Sequence, residues 1–179
     1  GVLGLFLIKE TIQKLPENKN YFKNIFYGFT PSVIKKNGML YVTLAGFAVF
    51  GISIQIFMPY LILYYNVSLG MDDYVLIMAP AIIVASIVTA LYGRVYDKVG
   101  FKASILPALA ALCLGYIVLF FFKSTALVFV GSLLMMCGYL AGMAVFGAML
   151  RDHTPQNRAG MFQGLRIVGQ VLIPGIIGP

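Results

Sequence analysis

Near the end of the chain, Gln163, Arg166 and Gln170 recur at intervals of three and four within an apolar stretch. In a helix beginning at Pro155 this spacing puts two amides and a guanidinium on one face. Such a stripe is expensive against hydrocarbon, and a translocation path is its natural place, with Arg166 able to pair with an anionic or hydroxyl-rich solute. The competing reading has Arg166, about 11 residues into its helix and so roughly 16 Å along it, snorkel toward the surface or pair with Asp152. A second candidate is Gln55, in the middle of the apolar run 38–65 with Pro59 one turn later. A buried amide needs partners and a proline frees a carbonyl, so the pair suggests a helix facing other helices or a cavity. For Gln55 an interhelical hydrogen bond, worth under about 2 kcal/mol, competes with solute contact. Tyr60 is a weaker third candidate, as a cavity residue, a packing residue or an interfacial anchor.

Other chemistries find no residues to support them. Cys113 and Cys137 stand singly in apolar runs without a C-x-x-C or a neighbouring His, and read as small hydrophobes rather than metal or redox groups. His153 falls in a charged segment and reads as a solvated loop residue. The chain has no Ser, His and Asp set, no H-E-x-x-H and no phosphate-cradling glycine loop, which argues against an enzyme and implies neither metal nor cofactor. The interiors of the complete apolar spans hold no Asp or Glu, so they offer no obvious carboxylate for proton or sodium coupling. Asn66-Val67-Ser68 matches a glycosylation sequon but reads as an unmodified loop.

The elements that must position these side chains follow from composition. Hydrophobic residues make up 60% of the chain and charged residues 11%, too little polar surface to cover a water-soluble globule. The fold class is therefore all-α integral membrane, a polytopic helical bundle in a lipid bilayer. The net charge of +7 would suggest nucleic acid in a soluble protein, but here the cations fall between apolar segments and mark membrane topology instead. Residues 1–8 read as the tail of a preceding span, 9–36 as a basic linker, and 37–179 as a bundle with spans at about 38–65, 74–92, 103–122, 126–150 and 155–179. Within the linker, Tyr21, Phe22, Ile25, Phe26 and Phe29 recur at helical spacing beside Lys19 and Lys23, as in a helix lying flat on an anionic surface or, equally, an irregular linker. Asn37 is suited to cap the first span, Asp72 and Asp73 the second, and Thr154 the last, while Tyr64 and Tyr65 end the first span as interfacial anchors would. Gly138 and Gly142 form a G-x-x-x-G pair that lets a neighbouring backbone approach closely. Of the 13 Lys and Arg residues, all but Lys123 fall on alternate connections when Arg166 is counted with the second of two charged islands, 93–102 and 151–160, which places the linker and both islands in the cytoplasm, most simply at a bacterial inner membrane.

The first island, Gly93 to Lys102, reads as a cytoplasmic turn between two spans. Its G-x-x-x-D-K-x-G-x-K spacing resembles the loop signature of the major facilitator superfamily of secondary transporters, with Phe101 standing where that family usually has a basic residue. Pro155, Arg158 and Gly160 resemble a second pattern of the family, P-x-x-R-x-G. The resemblance implies the end of helix six to most of helix eleven of a twelve-helix transporter, whose first half and last helix are missing. It implies that Gly93, Arg94, Asp97, Lys98, Gly100 and Lys102 form a conformational latch, and that Gln55, Tyr60, Gln163, Arg166 and Gln170 line a central cavity. The expected function is transport of a small polar solute by rocking two halves about a midplane site, the other half being a partner in this. The alternative is a membrane scaffold or sensor subunit that uses the same packing without transport.

Overall fold

The computed structural model describes residues 30–71, 73–154 and 164–178, and every element within them is helical. Short α1 (Pro31–Lys36) leads into α2 (Gly38–Ser68), whose last turn, Tyr64–Ser68, is π-helical. The chain continues through α3 (Tyr74–Phe121), α4 (Thr125–His153) and α5 (Gly164–Ile177), the last with a second π-helical turn at Val168–Leu172. The flat helix expected within the linker, and Asp72, Pro155, Arg158, Gly160 and Gln163, lie outside the described residues.

A helix of 48 residues would be about 72 Å long, more than twice the hydrocarbon thickness of a bilayer, so α3 cannot cross as one rod. It breaks at Gly100, where φ of 77° and ψ of −178° define a backbone conformation that a side chain forbids. The expected ten-residue turn is thereby corrected: the helix runs through Gly93, Arg94, Asp97 and Lys98 to Val99, and the reversal is concentrated at one glycine. Tyr92 closes the corner by donating its hydroxyl to the Ser104 carbonyl at 2.6 Å.

Contacts fix the direction of each segment. The second arm of α3 runs antiparallel to α4, with Phe101 meeting Phe146, Leu112 meeting Gly138 and Leu119 meeting Gly131. The first arm runs parallel to α4, from Tyr74 near Tyr65 and Ser132 to Tyr96 at Asp152. α2 is antiparallel to α4, its Phe47 stacked on Phe146 with ring centres 5.3 Å apart and Phe50 on the same ring at 5.5 Å. α5 lies parallel to α2, where Leu44 meets Gly169, Gly51 meets Pro174 and Gln55 meets Gly178. Successive segments therefore alternate in direction. Among the described residues this collects Lys35, Lys36, both charged islands and His153 at one end, and Asp73 and Lys123 at the other.

Close approach by small residues holds α3 to α4. A Cβ on Gly138 would come within 2.7 Å of the Ala108 carbonyl oxygen, and one on Gly115 within 2.7 Å of Met135 Cα. The G-x-x-x-G pair does not serve one neighbour: Gly138 admits the α3 backbone, whereas Gly142 admits the Phe50 ring of α2. Two capping expectations are also corrected. Asn37 donates its side-chain amide back to Val33 O at 3.0 Å and closes α1, because that helix ends where α2 begins. Asp73 precedes α3 without a side-chain cap bond. Thr154 donates back to Leu150 O at 2.6 Å, and the helix start it was expected to cap lies outside the described residues. Tyr64 and Tyr65 are not anchors facing water: Tyr64 donates to Leu119 O, and Tyr65, 1% exposed, shares a hydrogen bond with Ser132. A buried phenol must find a partner, and both find one across a helix interface.

If backbone proximity at Gly138 holds the bundle, Gly138→Ala lowers stability by about 1–3 kcal/mol, the usual cost of overpacking, while Gly175→Ala, with nothing within 4 Å of its added Cβ, does not. Thermal unfolding of the two variants in detergent measures this, and equal midpoints would refute the role given to Gly138.

Candidate functional site

α5 carries the polar stripe, and small residues dock it. Gly51 leaves so little room that a Cβ there would lie 2.8 Å from Pro174 Cγ, and Gly169 is buried under Leu44. Pro174 has no amide proton, so the Gln170 carbonyl four residues earlier loses its α-helical donor, and Gln170 sits within the π-helical turn. Arg166 Nε donates to Gln170 Oε1 at 3.1 Å, joining two of the three stripe residues one turn apart. Both are half-buried. The Arg166 guanidinium reaches the α4 backbone at Gly147, where an added Cβ would stand 3.5 Å from its terminal nitrogen. Arg166 therefore rests on the bundle through Gly147 and Gln170, and Asp152 is occupied by other partners.

The other cavity candidates sit differently. Gln55 is exposed at the edge of α2, with its Cβ and Cγ against Gly178 of α5. Tyr60 is 65% exposed, so within this bundle it faces outward. The structure thus brings Arg166 and Gln170 together and leaves Gln55 further along the same α2–α5 interface.

At the charged end, a polar arrangement appears that single-residue reading missed. Tyr96, 7% exposed, donates its hydroxyl to Asp152 Oδ2 at 2.7 Å, while Arg151 holds Oδ1 of the same carboxylate at 3.2 Å. The two islands are thus tied through a tyrosine that stands within the first of them. Its signal was helical spacing: Ala81, Ala85, Tyr92 and Tyr96 share the face of α3 turned to α4. Beside this tie, Tyr92, Gly93, Tyr96, Asp97, Ala148 and Arg151 line much of a cleft of about 230 Å³ between α3 and α4. Arg94, Lys98 and Lys102 are exposed around it. Phe101, the departure from the charged signature, sets its ring edge-on to Phe146 with centres 5.4 Å apart, exchanging a cation for packing. His153 is half-buried and donates Nδ1–H to Met149 O at 2.9 Å, satisfying a carbonyl at the end of α4. At the opposite end, Phe57, Tyr64, Tyr116 and Phe120 help to line an apolar cleft of about 420 Å³ between α2 and α3. Among the described residues no three His, Cys, Asp or Glu side chains gather as metal ligands would.

Three helices long and apolar enough to cross a membrane, one of them folded back at Gly100, define a polytopic integral membrane protein of the helical-bundle class. Comparison with protein families makes the class specific. The model of the Major Facilitator Superfamily matches residues 1–179, and the chain belongs to that superfamily. Its members are membrane transporters of solutes rather than enzymes, which assigns this chain to membrane transport. No curated protein and no solved structure matches it.

Replacing Tyr96 by Phe removes the hydroxyl from the Asp152 tie while keeping the ring. Because Asp152 is part-exposed, the expected loss is about 1 kcal/mol, near the ordinary value for one hydrogen bond. Thermal unfolding together with amide exchange at 149–153 reads it, and unchanged protection there would show that the tie contributes nothing.

Proposed function

We propose that the protein moves a small polar solute across a bilayer by alternating access, with Arg166 and Gln170 in the solute path. The observation that carries this reading is the Arg166–Gln170 pair, half-buried on α5 and set against Gly147 of α4. A guanidinium and an amide in an apolar transmembrane segment are costly unless they serve a path or find a partner. Gln55, beside Gly178, and Tyr60, facing outward on α2, are further candidates for the path away from this pair, and Gln163 continues the stripe by sequence spacing. Alternating access requires a second bundle against which this one rocks, about a site between the two. In this reading, residues 1–8 end a preceding span, 9–36 form the linker and 37–179 form one rocking unit.

The island residues Gly93, Arg94, Asp97, Lys98, Gly100 and Lys102 act as the latch at the charged end. Gly93 has nothing within 4 Å of its added Cβ, leaving helix surface open to another element in one of the two states. The excess of cations at that end supports a cytoplasmic placement, and a bacterial inner membrane is the simplest setting.

Counterflow into liposomes carrying the full-length protein, with a panel of labelled sugars, amino acids, organic acids and drugs, tests the reading. Saturable uptake of one class is expected, abolished by Arg166→Ala or Gln55→Ala with expression retained. Normal uptake in both variants would remove these residues from the path. Failure with every solute, together with capture of a partner by the 9–36 segment, would favour a non-transporting scaffold or sensor subunit.

A further inference from the structure

Among the described residues, no carboxylate pairs with the charge of Arg166. Its hydrogen-bond partner is the neutral amide of Gln170, at 3.1 Å from Nε. The one ion pair among the described residues joins Arg151 to Asp152, and that carboxylate is also engaged by Tyr96. Of the other described carboxylates, Asp97 borders the cleft between the first arm of α3 and α4, and Asp73 begins α3 at the opposite end. Taking a guanidinium even partly out of water is unfavourable unless a hydrogen-bonded anion offsets it, and internal carboxylates usually supply that anion. Here the neighbours are instead arranged to hold the group in place. Gln170 fixes the Nε edge, and Gly147 leaves a side-chain-free stretch of α4 against the terminal nitrogen. With Nε occupied, the two terminal NH₂ groups have no hydrogen-bond partner among the described residues and form a planar fork, the geometry that a carboxylate or phosphate accepts with two hydrogen bonds.

We infer that Arg166 binds the transported solute directly and that the solute is a small oxyanion, a carboxylate or a phosphate, whose charge completes the site. This rests on the transport reading above and narrows it to one chemical class. An internal carboxylate beside Arg166 would compete with such a solute, and the amide at Gln170 orients the guanidinium without neutralising it. Of the cations, only Arg166 is held by an amide on its own helix among the described residues, which separates it from the exposed Arg94, Lys98 and Lys102 at the charged end.

The test uses full-length protein in phosphatidylcholine liposomes and measures counterflow of lactate, succinate, inorganic phosphate, glucose and choline. Saturable flux is expected for at least one anion, and the pattern across lactate, succinate and phosphate separates a carboxylate from a phosphate site. Arg166→Gln should reduce that flux at least about ten-fold, the size expected when a hydrogen bond to a charged group is lost. Gln170→Glu should do the same by seating a carboxylate on the guanidinium, while keeping or raising the unfolding temperature. If Arg166→Gln does not fold, Gln170→Glu decides alone. Anion flux unchanged in the folded variants overturns the inference, as does saturable flux of glucose or choline with none of the anions, and both outcomes leave the transport reading standing. No flux with any of the five solutes also overturns this inference, and the wider solute panel above then decides the transport reading.

Discussion

Lipid gives helices no hydrophobic reason to associate, since acyl chains are as apolar as leucine, so this bundle depends on how closely its backbones can approach. The contact between the second arm of α3 and α4 meets that condition at Gly115 and Gly138, where glycine lets one helix touch the main chain of the other. Dispersion over such a close interface replaces the driving force that water would supply. The same device recurs where Gly142 receives Phe50 and where Gly51 receives Pro174, so each segment is located by a missing side chain opposite a present one. Phe146 then gathers Phe47, Phe50 and Phe101 from two other helices around one ring.

Gly100 stands to chain direction as these glycines stand to packing. Its positive φ lets the two arms of α3 join with almost no loop, and that brings the charged island onto helix rather than into a loop. Helical geometry then gives its residues distinct faces: Tyr96 turns to α4 and binds Asp152, while Arg94 and Lys98 stay exposed. Phe101, immediately after the corner, uses its place on the packing face for a ring contact that no cation could make. The charged end is thus where a tyrosine hydrogen bond ties α3 to α4.

The site inherits its geometry from this framework. Parallel packing of α5 on α2 leaves Gln170 in a π-helical turn before Pro174, and the turn carries the amide that holds Arg166. α4 contributes only the absence of a side chain at Gly147. A guanidinium so placed is oriented by neutral groups, an arrangement suited to a ligand that brings its own charge.

The sequence by itself determined the class of the molecule: apolar runs near bilayer length can bury their backbone polar groups only as helices, and the charged signature spaced between them identified the superfamily. It also showed Arg166 and Gln170 on one face, because spacings of three and four are fixed by helical pitch alone. Partner choice was not legible, since it depends on which helices meet. Tyr64 and Tyr65 looked like interfacial anchors until α3 and α4 supplied Leu119 O and Ser132, Asn37 turned back to the helix it ends, and Gly138 and Gly142 divided between two neighbours. Tyr96 and Asp152 stand 56 positions apart, and only the fold-back at Gly100 and the packing of α3 on α4 could bring them within 2.7 Å. Local periodicity sets which face a residue occupies, whereas the identity of the atom opposite it is a property of the assembled bundle.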